Sequence, residues 1–145
     1  MNQKSFYIDS CIYLNLWQKE INFFGFPIWK IAAKLLNKIE KRNYHVYYSG
    51  FLLKELKYIL DEDEFYQKRK LFETSPNFKK VKLSKEEFEL ARKIESQIDF
   101  AISFYDIIHM LLAKKTNSIL ITRDKKLIKL SKKYSVIAKK PEEVL

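Results

Sequence analysis

A chain of 145 residues that is 47% hydrophobic and 15% aromatic has the length and apolar content of one folded domain, and this composition excludes a disordered protein. One cysteine and two glycines exclude an internal disulfide, a cysteine-built zinc site and the glycine-rich loops that cradle nucleotide phosphates. The 28 basic residues against 18 acidic ones leave a formal charge of +10, which favours a polyanionic partner, nucleic acid first.

Taken in chain order, Ser5 to Asp9 is short, aromatic and β-branched, the profile of a buried strand with Asp9 at its end. A short helix follows from Ser10 to Trp17. The aromatic stretch Phe23 to Trp29, with Gly25 and Pro27, reads as a turn into an amphipathic helix from Ile28 to Arg42, whose Ile31, Leu35, Leu36 and Ile39 recur at helical spacing. Tyr44 to Ser49 is a second strand and Gly50 to Leu60 the helix after it. Negative charge at Asp61 to Glu64 suits the start of a further helix that reaches Glu73. Val81 to Leu83 is read as a short extended piece. Ser84 with Glu87 forms a capping box opening a helix to Gln97, and Ser103 with Asp106 repeats the signal for a helix ending near Lys115. Ser118 to Thr122 is a buried strand, Asp124 opens a basic helix to Tyr134, Ser135 to Ala138 is a last strand, and Pro141 starts a terminal turn.

Strands alternating with helices predict an α/β fold, a mainly parallel sheet of four to five short strands covered on both faces. No repeat or flexible linker divides the chain, so residues 1–145 are read as a single domain. The longest stretch without formal charge, Asn43 to Leu53, falls short of the roughly 20 apolar residues of a membrane span. Lys4, Asp9, Lys19, Glu20 and Lys30 interrupt any signal-peptide core, so a cytoplasmic chain is expected.

Charge is unevenly spread. From Lys114 to Lys140 there are ten basic residues, among them Arg123, Lys125, Lys126 and Lys129, and a single acid, Asp124. In a parallel α/β sheet ligands bind beyond the carboxyl ends of the strands, where Asp9 and Asp124 stand. Glu55, in the helix after strand two, and Asp106, in the first turn of the helix before the SILIT strand, can reach the same edge. Carboxylates gathered this way repel unless a cation neutralises them or their pKa values shift, and hard oxygen donors suit Mg²⁺ or Mn²⁺. Each acid also has an ordinary explanation: Asp124 as a helix cap, Asp106 as the second half of a capping box.

Four pieces of the chain resemble the acidic motifs of PIN domains, in their order and spacing. They are Tyr7-Ile8-Asp9-Ser10-Cys11-Ile12-Tyr13-Leu14, Ser49 with Leu52-Leu53-Lys54-Glu55-Leu56, Asp106-Ile107-Ile108-His109-Met110-Leu111-Leu112-Ala113, and Leu120-Ile121-Thr122-Arg123-Asp124. The closing Pro141-Glu142-Glu143-Val144 is similar too, and in size the chain resembles the VapC-like toxins and solitary prokaryotic PIN proteins. The resemblance implies a three-layer α/β/α domain, often a homodimer, that binds one or two Mg²⁺ or Mn²⁺ ions and hydrolyses RNA phosphodiester bonds. It further implies a toxin whose acidic pocket is covered by an antitoxin. Asp9, Glu55, Asp106 and Asp124 become the catalytic, metal-binding acids, with Thr122 orienting Asp124. Arg123, Lys125, Lys126 and Lys129 are the candidates for contacting RNA.

The alternative from another class is a nucleic-acid-binding or protein-interaction module that keeps the fold without the chemistry. His109, one turn after Asp106, is read as a packing residue ahead of a catalytic base. Cys11 is read as an inert thiol beside a buried strand, Asp99 as a loop residue, and Trp17, Phe23, Phe24, Phe26 and Trp29 as core first and interface second.

Overall fold

The computed structural model describes residues 4–145, and within them the alternation of side chains along each strand sorts the chain into layers. Strands β1 (Ser5–Ile8), β2 (His45–Tyr48), β3 (Phe78–Lys80), β4 (Ile119–Ile121) and β5 (Ala138–Lys139) form one sheet in the order β3-β2-β1-β4-β5, every pair parallel. Phe6 and Ile8 of β1, Val46 and Tyr48 of β2, and Ile121 of β4 face one core. The intervening Tyr7, Tyr47 and Leu120 face the other. With period-two alternation, three apolar residues in a row supply both faces of a sheet.

Helices α1 (Ser10–Trp17), α2 (Ile28–Arg42), α3 (Gly50–Ile59) and α4 (Glu62–Thr74) supply Ile12, Leu35, Leu56 and Phe72 to the first core. Helices α5 (Lys85–Gln97), α6 (Phe104–Lys115) and α7 (Lys125–Lys133) supply Ile94, Ile107 and Leu127 to the second. The result is the three-layer α/β/α arrangement the sequence implies. Its starts are chemically marked: Ser49, Asp61, Ser84, Ser103 and Asp124 each accept a backbone amide of the following turn. Ser84 and Glu87 complete a capping box. Only half of the box expected at α6 forms: the Ser103 hydroxyl takes the Asp106 amide, but the Asp106 carboxylate does not return the bond.

Three expectations are corrected. The third strand is Phe78–Lys80, before the expected Val81 to Leu83; only the Val81 amide continues the ladder, donating to the Tyr48 carbonyl at 2.8 Å. It is an edge strand, and its lysines are the charged side chains that blunt a free edge. The last strand is Ala138–Lys139 rather than Ser135 to Ala138, because Ser135 takes a left-handed turn at φ 60 after α7. The aromatic stretch is not core: Phe23 and Phe24 are 97% and 90% exposed, with Phe26 half-exposed beside them. Asn22 Oδ1 accepts the amides of Phe24 and Phe26 at 3.0 and 2.9 Å, and Gly25 supplies a φ of 81, so the turn is built rather than loose. Trp17 does pack, stacking on Tyr13 against the first core.

Chain order places the site. From β1 the chain builds β2 and β3 to one side and β4 and β5 to the other, so the strand ends part at the carboxyl edge between β1 and β4. The Asp9 amide closes that junction, donating to the Ile121 carbonyl at 2.9 Å.

Candidate active site

Asp9 caps the junction and is buried. Its Oδ2 accepts the Thr122 hydroxyl at 2.8 Å across the sheet, and the Cys11 thiol at 3.5 Å from the next helix. The Ser10 hydroxyl reaches Oδ1 at 3.4 Å. Asp106 faces it from the first turn of α6, its carboxylate left free by the half-formed cap. Carboxylate oxygens of Asp9 and Asp106 and a ring nitrogen of His109 lie within 4.8 Å of one another. Burial first, then the Asp9 charge, push the Asp106 carboxyl up to about 6, against an opposing pull from His109. Burial and Asp9 likewise push the Cys11 thiol far up, so it stays protonated and inert, in line with the sequence reading.

Glu55 enters from α3 through another residue. Its Oε1 is hydrogen-bonded to Nε2 of His109, which is fully buried on α6. The other ring nitrogen, Nδ1, lies 2.7 Å from the Tyr7 hydroxyl, which lies 2.7 Å from Ser49 Oγ, the cap of α3. Burial alone disfavours a charged ring, but the hydrogen bond and charge of Glu55, with Asp9 and Asp106 behind it, raise the His109 pKa overall. With both ring nitrogens donating, Tyr7 accepts from His109 and donates to Ser49, which gives both hydroxyls and both nitrogens a partner. His109 is thus neither simple packing nor a free base: it ties Glu55 to the strand beneath the site. Its spacing, three residues after Asp106 on one helix face, is the only sequence signal for this.

Asp124 stands at the same edge as the cap of α7. Its Oδ1 accepts the amides of Lys126 and Leu127 at 2.9 and 3.4 Å, while Oδ2 makes no hydrogen bond among the described residues. Neither Asp124 nor Glu55 is within the 4.8 Å group. Thr122 accepts the Asp124 amide at 3.1 Å and spends its proton on Asp9, so it orients the first acid directly and the last through the backbone. Arg123 is committed internally: Nε donates to Asn15 at 3.3 Å and Nη1 to Glu142 at 3.0 Å, fastening α1 to the carboxyl-terminal turn. Lys125, Lys126 and Lys129 are exposed on α7. Asp99 lies in the α5–α6 loop at φ 51, as the sequence reading has it.

Among the described residues no helix is long and apolar enough to cross a membrane. None of the curated proteins matches the chain by sequence. Solved structures with the same fold include FitAcB from Neisseria gonorrhoeae, at 15% identity and a TM-score of 0.62, covering 94% of this chain and 98% of that one. VapBC2 from Rickettsia felis, bound to a DNA fragment from its promoter, aligns at 16% identity and a TM-score of 0.65 with the same coverage. VapBC-1 from nontypeable Haemophilus influenzae aligns at 13% identity and 0.63, covering 95% of this chain and 98% of that one. At such identities they speak for the fold alone. The PIN domain profile, by contrast, matches residues 6–133, a span that runs from β1 to the last turn of α7 and takes in all four acids, and by that match the chain belongs to the PIN domain family.

Proposed function

We propose that this chain is a divalent-metal-dependent ribonuclease, a single-domain cytoplasmic toxin that acts as a homodimer and is held in check by an antitoxin. PIN domains are in general nucleases. The observation that carries the reading is the meeting of Asp9 and Asp106 at the strand junction, with Asp106 raised to about 6 by burial and by its neighbour. Two carboxylates so placed hold more negative charge than the protein around them balances, and a bound cation relieves it. The donors fit Mg²⁺ or Mn²⁺: they are carboxylate oxygens, and both nitrogens of the one imidazole are engaged elsewhere. Asp9 and Asp106 would hold the ion, with Asp124 and Glu55 as the further acids of a site for one or two ions.

An ion bound there supplies the positive charge that polarises a phosphodiester and acidifies water. Thr122 and Cys11 fix which Asp9 oxygen is left to face the crevice. His109 keeps Glu55 from swinging into solvent. The exposed Lys125, Lys126 and Lys129 draw the polyanion toward an edge whose acids would repel it. Likeness to the FitAB and VapBC complexes supports the toxin and antitoxin part of the reading.

The test is a calorimetric titration of Mn²⁺ into the wild type and the Asp9→Asn, Asp106→Asn double variant, followed by labelled RNA in Mn²⁺ and in EDTA. Saturable binding lost in the variant, with cleavage lost alongside it, is the expected result. Equal heats from both proteins, with RNA bound and left intact, would replace the nuclease with a binding module.

A further inference from the structure

Across the sheet from the basic α7 lies a second cationic surface that charge counting along the chain does not reveal. Lys54 and Lys57 come from α3, Lys80 from the carboxyl end of β3, and Lys82 from the segment after it. Lys54, Lys57 and Lys80 line a groove of about 580 Å³ with Tyr58 and Arg69, and Lys54, Lys80 and Lys82 line a second of about 410 Å³ that adjoins it through Gly50. No acidic residue lines either groove. All four lysines are exposed and none has an ion-pair or hydrogen-bond partner for its ammonium group among the described residues. Arg69 does, in Glu73 at 2.6 Å. Glu55, next in sequence to Lys54, points to the other side of α3, onto His109.

Position gives this surface its meaning. Lys80 ends β3 at the carboxyl edge, one strand from Tyr48, and Ser49 links Tyr48 to α3, which carries both Glu55 and Lys54. Both grooves therefore share with the acidic crevice the carboxyl edge of the sheet and the helix α3, on which Lys54 and Glu55 are neighbours. Four unpaired ammonium groups spread along two adjoining grooves repel each other and gain most from a ligand with regularly repeated negative charge, which is a phosphodiester backbone. Tyr58, 77% exposed among them, offers a flat ring at the groove wall, and a base stacks on such a ring only when it is not already paired within a duplex.

We infer that the Lys54–Lys57–Lys80–Lys82 groove is the track for single-stranded RNA entering or leaving the acidic site. The identity of the strand as RNA rests on the proposed nuclease activity; the binding of a single-stranded polyanion rests on the groove alone.

The test uses the full chain in EDTA, with a short fluorescein-labelled oligouridylate followed by anisotropy at several salt concentrations. Lys54→Glu with Lys80→Glu is compared with Lys34→Glu and Lys41→Glu, the same change of charge on exposed lysines of α2, and urea melts check that both variants fold. The groove variant is expected to bind about tenfold or more weakly, with a log–log salt slope smaller by about 1–2, and the α2 variant to stay within about threefold of wild type. Tyr58→Ala is expected to weaken the single strand and leave a duplex of the same length unchanged. Equal losses in the two charge variants, wild-type binding by the groove variant, or no binding by the wild type at low salt would each overturn the inference. Wild-type handling of the single strand by Tyr58→Ala would overturn its preference for unpaired bases. Cleavage in Mn²⁺ is scored separately: RNA cut normally by the groove variant with unchanged binding refutes the track and leaves the nuclease, whereas binding that depends on the groove without any cleavage does the reverse.

Discussion

Asp106 is held charged at a cost, since burial and Asp9 both favour its protonated form. A carboxyl whose native pKa exceeds its unfolded value subtracts stability above the native value, and the loss disappears as pH falls below it. For a rise from 3.8 to about 6 the cost is at most about 3 kcal/mol. Asp106→Asn should therefore stabilise the metal-free protein by about 1–2 kcal/mol at neutral pH, and the gain should vanish as pH falls through about 6 toward 4, as urea melts at each pH will show. A variant less stable than wild type at neutral pH would mean the carboxylate has a favourable partner. The Tyr7 hydroxyl makes the opposite kind of contribution. It bridges His109 and Ser49 at 2.7 Å each, in full burial, so Tyr7→Phe should cost about 1–3 kcal/mol and loosen Glu55, read as weaker Mn²⁺ binding with the fold retained. This bridge escapes a reading of the sequence because Tyr7 sits in an apolar strand and its partners are 42 and 102 residues away.

The helices and the three inner strands were legible because each carries its own punctuation. Ser10 to Trp17 and Ile28 to Arg42 fall where spacing and turn residues put them, and β1 and β4 announce themselves as uninterrupted apolar runs. Where an element owes its existence to a neighbour, the sequence is mute. Phe78–Lys80 is a strand because β2 offers it a ladder, and Ala138–Lys139 is two residues long. The turn from Asn22 to Phe26 was legible but the exposure of its aromatic residues was not, since local hydrogen bonds, not burial, hold them. Removing that device by Asn22→Ala should leave global stability within about 0.5 kcal/mol while the amides of Phe24 and Phe26 exchange much faster with deuterium. Strong global destabilisation instead would show that the turn braces α1 against α2.

For the molecule as a whole, four acids were visible as a set because strand ends gather at one edge in a parallel sheet; the buried imidazole that holds Glu55 was not. Asp9 and Asp106 converge, Glu55 is leashed by His109, and Asp124 is half spent on a cap. Acidic pH acts on this cluster in one direction. Asp106 subtracts progressively less stability as pH falls from about 6 toward 4, and His109, raised above its ordinary 6.5, contributes stability that is complete below that value and lost as pH rises through its native one. The melting temperature of the metal-free protein should therefore climb from about pH 8 to about pH 5, and saturating Mn²⁺ should reverse the trend because protons compete with the ion for the same oxygens. A metal-free protein that loses stability over that range would contradict both displacements.

The contact between Thr122 and Asp9 spans 113 residues. During synthesis β1, β2 and β3 can assemble early, but the crevice has one wall until β4 has left the ribosome and slotted in beside β1. The crevice is thus a late product of folding: a chain that has built only its first three strands has no second wall against which Asp9 can be held.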